Sequence, residues 1–194
     1  MEDEDPACAV AHGSTDADAI AHGSAPAPVD GRTLVAVFAG PVARSLLHFA
    51  RDTGFRTVLL EPSPDRVGDQ DRTVADEVVT GAKASLLHAD ADVVVTDHHR
   101  PELGEMLRDV LAETPRWVGV MGNARHRGPH VEMLTELGVP AADIARVHRP
   151  IGLNIGSRTP PEIALSTLAG LLADRNGRPG GFDFPDPSAE SRPR

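Results

Sequence analysis

Residues 33–61, "TLVAVFAGPVARSLLHFARDTGFRTVLLE", decide the fold. Thr33 to Phe38 is an unbroken β-favouring apolar run, and Ala39, Gly40 and Pro41 interrupt it. The stretch "VARSLLHFARDTG" that follows places apolar residues at helical spacing and stops at Gly54. Arg56 to Glu61, "RTVLLE", is a second apolar run. A strand that is apolar on both faces must be covered on both faces, which is the habit of parallel strands joined by crossover helices.

The same alternation continues toward the C-terminus. After a polar stretch from Pro62 to Thr80, a short helix is expected near Lys83 to His88, then a strand at Asp92 to Thr96 ("DVVVT") and a helix at Pro101 to Glu113. A strand at Arg116 to Met121 ("RWVGVM"), a helix from about Arg127 to Leu137 and a final helix from Pro160 to Asp174 complete the series. Four strands interleaved with helices predict an α/β architecture: a doubly wound, Rossmann-like parallel sheet with helices on both faces. The domain is expected over residues 31–177. Residues 1–30 are an acidic tail rich in Ala, Gly and Pro, and residues 178–194 have the same loose character. Neither carries enough bulky apolar residues to offset the entropy of ordering, so both are expected to be disordered. His12 and His22, in two "AHGS" repeats, read as low-complexity sequence rather than a metal site.

Composition narrows the function classes. With 194 residues, 40% of them hydrophobic and 25% charged, the chain can bury one sizeable core. No run approaches the roughly 20 apolar residues of a membrane span, and a cytoplasmic location is the expectation. Cys8 is the only cysteine, which rules out an internal disulfide, a zinc knuckle and a CxxC redox pair. A net charge of -10 argues against nucleic-acid and anionic-membrane partners. Between Arg116 and Arg158, however, six arginines face three acids, a local +3 that would focus a small anion.

In doubly wound sheets ligands sit beyond the carboxyl ends of the strands, so the turns there carry the candidate residues. The first, "FAGPVA", partly matches the G-x-G-x-x-G/A fingerprint that brings backbone N–H groups to a pyrophosphate. Gly40 and Ala43 fit it, whereas Phe38 stands at the first glycine. Glu61 ends the second strand where an acid would take a ribose hydroxyl pair. The second turn, "TDHHRPEL", offers Asp97, His98 and His99 as a metal ligand set or general base, or, with His98, as capping and lining of the cleft. Neighbouring side chains on an extended chain point opposite ways, so His98 and His99 are not expected to share a metal. In the third, "VMGNARHRG", Gly122 makes the bend and Asn123 caps a helix, with Arg125 and Arg127 following as anion contacts.

The fourth stretch, "PIGLNIGSRTPPEIALSTLAG", spans residues 150–170. Thr159 and Glu162 form a T-x-x-E capping box around Pro160 at the first helical position. Gly156, Ser157 and Arg158 then bring backbone donors and a guanidinium to the positive end of a helix dipole, a fitting place for a phosphate or carboxylate.

Residues 118–173 resemble the C-terminal Rossmann domain of the XdhC/CoxI family, accessory proteins of molybdenum hydroxylases such as xanthine dehydrogenase and carbon monoxide dehydrogenase. The similarity runs from about Leu34 to Ala173, and "PIGLNIGSRTPPEIA", residues 150–164, is its most specific part. The resemblance implies binding of the molybdenum cofactor, as molybdopterin or its dinucleotide form, and its maturation or insertion into a hydroxylase apoenzyme. A homodimer and a cysteine desulfurase partner are implied with it. Gly40 and Ala43 match the family's first turn, Gly122 its third, and Gly152, Asn154, Gly156, Arg158, Thr159 and Glu162 its final motif. Of these, Gly40, Ala43, Gly122, Gly152, Asn154, Gly156, Arg158 and Thr159 are expected to bind the cofactor, with no catalytic residue and no metal ligand. The sequence departs from the family at Phe38, Pro41, Glu61, Asn123, Ala124 and Asn154, and the family's usual N-terminal domain is replaced by the short acidic tail. These departures weigh against pyrophosphate binding in the usual pose and against independent sulfuration of the cofactor. Two alternatives stay open: an NAD(P)-binding oxidoreductase, and a degenerate, non-catalytic Rossmann interaction module.

Overall fold

The computed structural model describes residues 19–22, 31–122 and 128–181. Residues 19–22 form a single helical turn, and the remainder of the two tails lies outside the described residues. Residues 30–180 make up one compact unit.

Six parallel strands build its sheet in the order β3-β2-β1-β4-β5-β6: β1 Thr33–Val37, β2 Arg56–Leu60, β3 Glu77–Val79, β4 Ala91–Val95, β5 Trp117–Val120 and β6 Val147–His148. This is the doubly wound, Rossmann-like arrangement predicted from the alternation of apolar runs. β1 and β4 lie side by side in the middle, Val35 opposite Val93 and Val37 opposite Val95, and every residue of both strands is buried.

Alternation along the strands assigns each side chain to a layer. Val35, Val37, Val58, Leu60, Val93, Val95, Val118 and Val120 face one side with Leu103, Leu107 and Val110 of α3, Leu103–Ala112, and Leu134 of α4, His130–Glu136. Leu34, Ala36, Leu59 and Val94 face the other, against Ala43, Leu46, Leu47 and Ala50 of α1, Pro41–Asp52, and Ala164, Leu168 and Leu171 of α6, Pro160–Arg175. Both faces are therefore dry, which is why the strands read as continuous apolar runs. Two further short helices, α2 at Asp69–Val74 and α5 at Ala141–Ile144, lie within the connections.

The two edge strands were not anticipated, and both are short. β3 has three residues and opens with Glu77; β6 has two, set between Arg146 and Arg149. Neither has enough residues to show a period, so only pairing with β2 and β5 reveals them. The helix expected near Lys83 to His88 is a series of turns that nonetheless buries Leu86 and Leu87. The helix expected from Pro101 begins at Leu103, and the one expected from Arg127 begins at His130.

At the amino end of β4 a fully buried carboxylate ties three elements together. Asp92 accepts hydrogen bonds from Nε of Arg116, before β5, and Nε of Arg175, at the end of α6. Arg116 also reaches Asp174, whose side chain is 46% exposed. Removing one partner of a buried pair strands the others, whereas an exposed pair is worth little. Asp92→Ala is expected to lower the unfolding free energy by about 3–5 kcal/mol. Asp174→Ala should cost less than about 1 kcal/mol. Urea titrations of the two variants followed by circular dichroism check the contrast.

Candidate functional site

A cleft of about 690 Å³ opens at the carboxyl ends of β4, β5 and β6. Val42 of α1 borders one side. Thr96 to His99 come from the turn after β4, Met121 and Gly122 from the end of β5, and Ile163, Ser166 and Thr167 from the face of α6. Residues 150–157 form a strap across it.

The strap is held by its glycines and by α6. Gly152 has φ +88°, the left-handed region that L side chains rarely adopt, and a Cβ there would lie 3.0 Å from Ser166 Oγ. Its Cα in turn passes 3.1 Å from where a Cβ on Gly170 would sit, so both glycines serve close approach of strap and helix. Leu153 N–H donates to the Ser166 carbonyl at 3.0 Å and locks the crossing.

Of the residues singled out in the sequence, His98, Gly122, Gly152, Asn154 and Gly156 meet in this cleft. Arg158 and Thr159 adjoin it at the exposed end of the strap. Gly40 is the N-cap of α1, while Ala43 is buried between α1 and the sheet and faces the core rather than the cleft. Asn123, Arg125 and Arg127 lie outside the described residues. Glu61 is fully buried on the β2 side and does not line the cleft.

The start of α6 corrects an expectation. Its capping glutamate is in place, but Glu162 Oε2 itself accepts the N–H groups of Arg158 at 2.7 Å and Thr159 at 3.1 Å. These two bonds hold its carboxyl below the usual range. The next two residues, Pro160 and Pro161, have no N–H to give. Ile163 N–H is already bonded to the Thr159 carbonyl at 3.0 Å. A helix start with its donors taken and a carboxylate in its first turn is poorly suited to an anion, whatever its dipole. The start of α1 is the opposite case: Pro41 occupies the first position, no acid stands in the first turn, and Val42 faces the cleft.

The local geometry of the two histidines differs from the extended chain assumed for them. β4 ends at Val95, so His98 and His99 sit in a turn, where they no longer alternate. Their rings lie 4.0 Å apart, tilted by 38°, and both border the cleft. Thr96 Oγ1 donates to the carbonyls of Val37 and Phe38, each at 2.9 Å, and pins this turn to the end of β1. Among the described residues no group of three or more His, Cys, Asp or Glu side chains is gathered as for a metal.

Arg149 was not singled out by the sequence as a site residue. Its guanidinium fills the space where a Cβ on Gly122 would project, so Gly122 is small to let a cation approach the cleft wall. Its signals were its place among the six arginines of the local positive stretch and immediately before the Pro150 motif. Burial lowers the pKa of His98, and the charges of His99 and Arg149 push the same way. Burial, then Arg149, lowers that of His130, whose Nδ1 is buried without a hydrogen-bond partner among the described residues.

With this geometry established, the comparisons with known proteins define the class. Residues 34–171 match the model of the XdhC Rossmann domain, and the chain belongs to that family. It is 30% identical over 153 residues to the uncharacterized protein YqeB of Escherichia coli (strain K12), covering 77% of this chain and 28% of that protein. It is 26% identical over 148 residues to a probable xanthine dehydrogenase subunit of Bacillus subtilis (strain 168), covering 73% of this chain and 42% of that one. A crystal structure of a xanthine dehydrogenase from Bacillus halodurans superposes with a TM-score of 0.61 at 26% identity, over 76% of this chain and 44% of that one. The chain thus spans less than half the length of each of these relatives. No helix among the described residues is long and apolar enough to cross a membrane.

A histidine with a depressed pKa favours folding in its neutral form, while the unfolded chain takes up protons below its ordinary pKa of about 6.5. Stability contributed by His98 and His130 is therefore complete above that pH and lost as pH falls through it. Denaturant midpoints measured from about pH 7.5 down to about pH 5, a range that brackets that pKa, should decline toward acid. The decline should be shallower in His130→Leu, whatever that variant's absolute stability.

Proposed function

We propose that the chain is an accessory protein for a molybdenum hydroxylase of the xanthine dehydrogenase or carbon monoxide dehydrogenase type. In this reading it holds the molybdenum cofactor, as molybdopterin or its dinucleotide form, during maturation or insertion. The observation that carries the reading is the cleft itself. It lies outside the carboxyl ends of β4 to β6, with the acid-free start of α1 on one side and Arg149 behind Gly122 on another. A cation-backed cavity of this size, with a few polar groups set among Val42, Met121, Ile151 and Ile163, suits a phosphorylated pterin. Family membership, and relatives whose names refer to xanthine dehydrogenase, support the choice of partner.

The residues fit a holding role better than a chemical one. Ser166, Thr167 and Asn154 offer neutral hydrogen-bonding groups to a pterin edge. The exposed Arg158 next to the strap, its backbone N–H taken by Glu162 but its guanidinium on the surface, would add a positive charge. The bound cofactor carries the redox chemistry of the hydroxylase; this chain's side chains bind and orient it. The handover partner is a hydroxylase apoenzyme in the cytoplasm, with a cysteine desulfurase and a second copy of this chain as further associates.

A second reading, a non-catalytic interaction module, draws on Ile155 and Leu165, which are 55% and 54% exposed on the strap and on α6. Anaerobic equilibrium binding of molybdopterin to the purified chain separates the two. Binding that weakens in Arg158→Ala by about 1.5–3 kcal/mol, the worth of a charge-assisted hydrogen bond, is the expected result. Absence of binding by the wild type would leave the interaction module as the reading to pursue.

A further inference from the structure

The carboxyl end of β1 is covered by a chain of charges that the cleft does not include. Phe38, which stands at the first fingerprint glycine, keeps the left-handed backbone a glycine would use, φ 75°, and is completely buried. Over its ring, 4.5 Å from the centroid, lies the guanidinium of Arg100 from the turn after β4. That guanidinium grips Glu61 at the end of β2 with two bonds, Nη2 to Oε1 at 2.8 Å and Nη1 to Oε2 at 3.2 Å. Glu61 also accepts the N–H groups of Ala39 at 2.8 Å and Ser63 at 3.0 Å. On its other side Arg100 bonds Glu102, which Arg66 holds at 2.8 Å.

A dinucleotide on a doubly wound sheet lies across the point where strand order reverses, here between β1 and β4, and extends its ribose to the acid at the end of β2. In this chain each oxygen of that acid already has two donors, and the Ala39 N–H of the Gly-rich turn is directed at Glu61. Ribose hydroxyls are neutral donors, weaker than a bidentate guanidinium on the same carboxylate. What remains open is the half of the crevice beyond β4, β5 and β6. No residue from the turn after β2 is among those lining it.

We propose that Arg100 is a specificity-determining residue: seated on Phe38 and paired with Glu61, it closes the nucleotide half of the crevice and restricts the cleft to ligands that end at their phosphate. The inference deepens the reading of the cleft as a cofactor site and rests on it for the ligand's identity. It selects molybdopterin over the dinucleotide form and over NAD(P). The closure itself stands on Arg100, Phe38 and Glu61 alone.

The test titrates ADP-ribose and NADH into the full chain, the wild type beside Arg100→Ala, Arg100→Met and Arg100→Ala with Phe38→Gly. The wild type should show no saturable binding of either up to about 1 mM. The opened variants should bind ADP-ribose at least about tenfold more tightly than the wild type, the shift a single hydrogen bond supplies. Adding Glu61→Gln should abolish the gain. Arg100→Met keeps packing on Phe38 and decides the matter if the alanine variants do not melt cooperatively. Wild-type binding of ADP-ribose that weakens in Glu61→Gln would overturn the proposal, as would folded variants that gain nothing. Molybdopterin titrated in parallel keeps the outcomes apart: its failure to bind would sink the cofactor reading and leave the ADP-ribose comparison intact.

Discussion

The pairing of β1 with β4 is the constraint on which the rest of the molecule depends. These strands are adjacent in the sheet but separated in sequence by α1, β2, α2 and β3, so the chain must build outward from β1 in one direction and then return to build in the other. Both strands are buried on both faces, which obliges α1 and α6 to cover one side and α3 and α4 the other. The reversal leaves a crevice at their carboxyl ends, because the turn after β1 goes to one face and the turn after β4 to the other. Every feature of the candidate site is a consequence of how that crevice is filled.

Two fully buried carboxylates mark the two ends of the sheet, and they act differently. Asp92 at the amino end draws in arginines from before β5 and from the end of α6 and fastens α6 to the sheet. Burial raises its pKa even though Arg116 and Arg175 pull the other way, so the cluster is an anchor of position more than a source of net stability. Glu61 at the carboxyl end binds Arg100 and the backbone of two turns, and thereby shapes the crevice from within. The strap at residues 150–157 closes the other side, where Gly152 and Gly170 allow backbone to touch helix. Local charge follows the same division: the start of α6 is satisfied by its own Glu162, whereas the start of α1 has no acid in its first turn.

Much of this was legible before any tertiary structure. The four central strands and the long helices stood out because continuous apolar runs and helical spacing are local signals, and Thr33–Val37, Arg56–Leu60 and Pro160–Arg175 fall where the pattern placed them. β3 and β6 escaped because two or three residues carry no period; they exist only by pairing with a neighbour. In the site, His98, Gly122, Gly152, Asn154 and Gly156 were legible through turn position and motif. Arg100 and Arg149 were not, since nothing in a single sequence distinguishes an arginine that reaches a buried acid or a glycine's empty face from one that reaches solvent.

The sequence by itself determined the layer architecture, the order of alternating elements and the turns at which a ligand would be met, because apolar periodicity, glycine and proline act over a few residues at a time. Tertiary structure alone decided which of those turns is open. Whether Glu61 faces a ligand or Arg100, and whether the N–H groups before α6 face an anion or Glu162, depends on which charged group the fold brings there. A carboxylate accepts only a few hydrogen bonds, and once the chain's own N–H groups and guanidinium occupy it, as at buried Glu61, no acceptor position remains for a ligand.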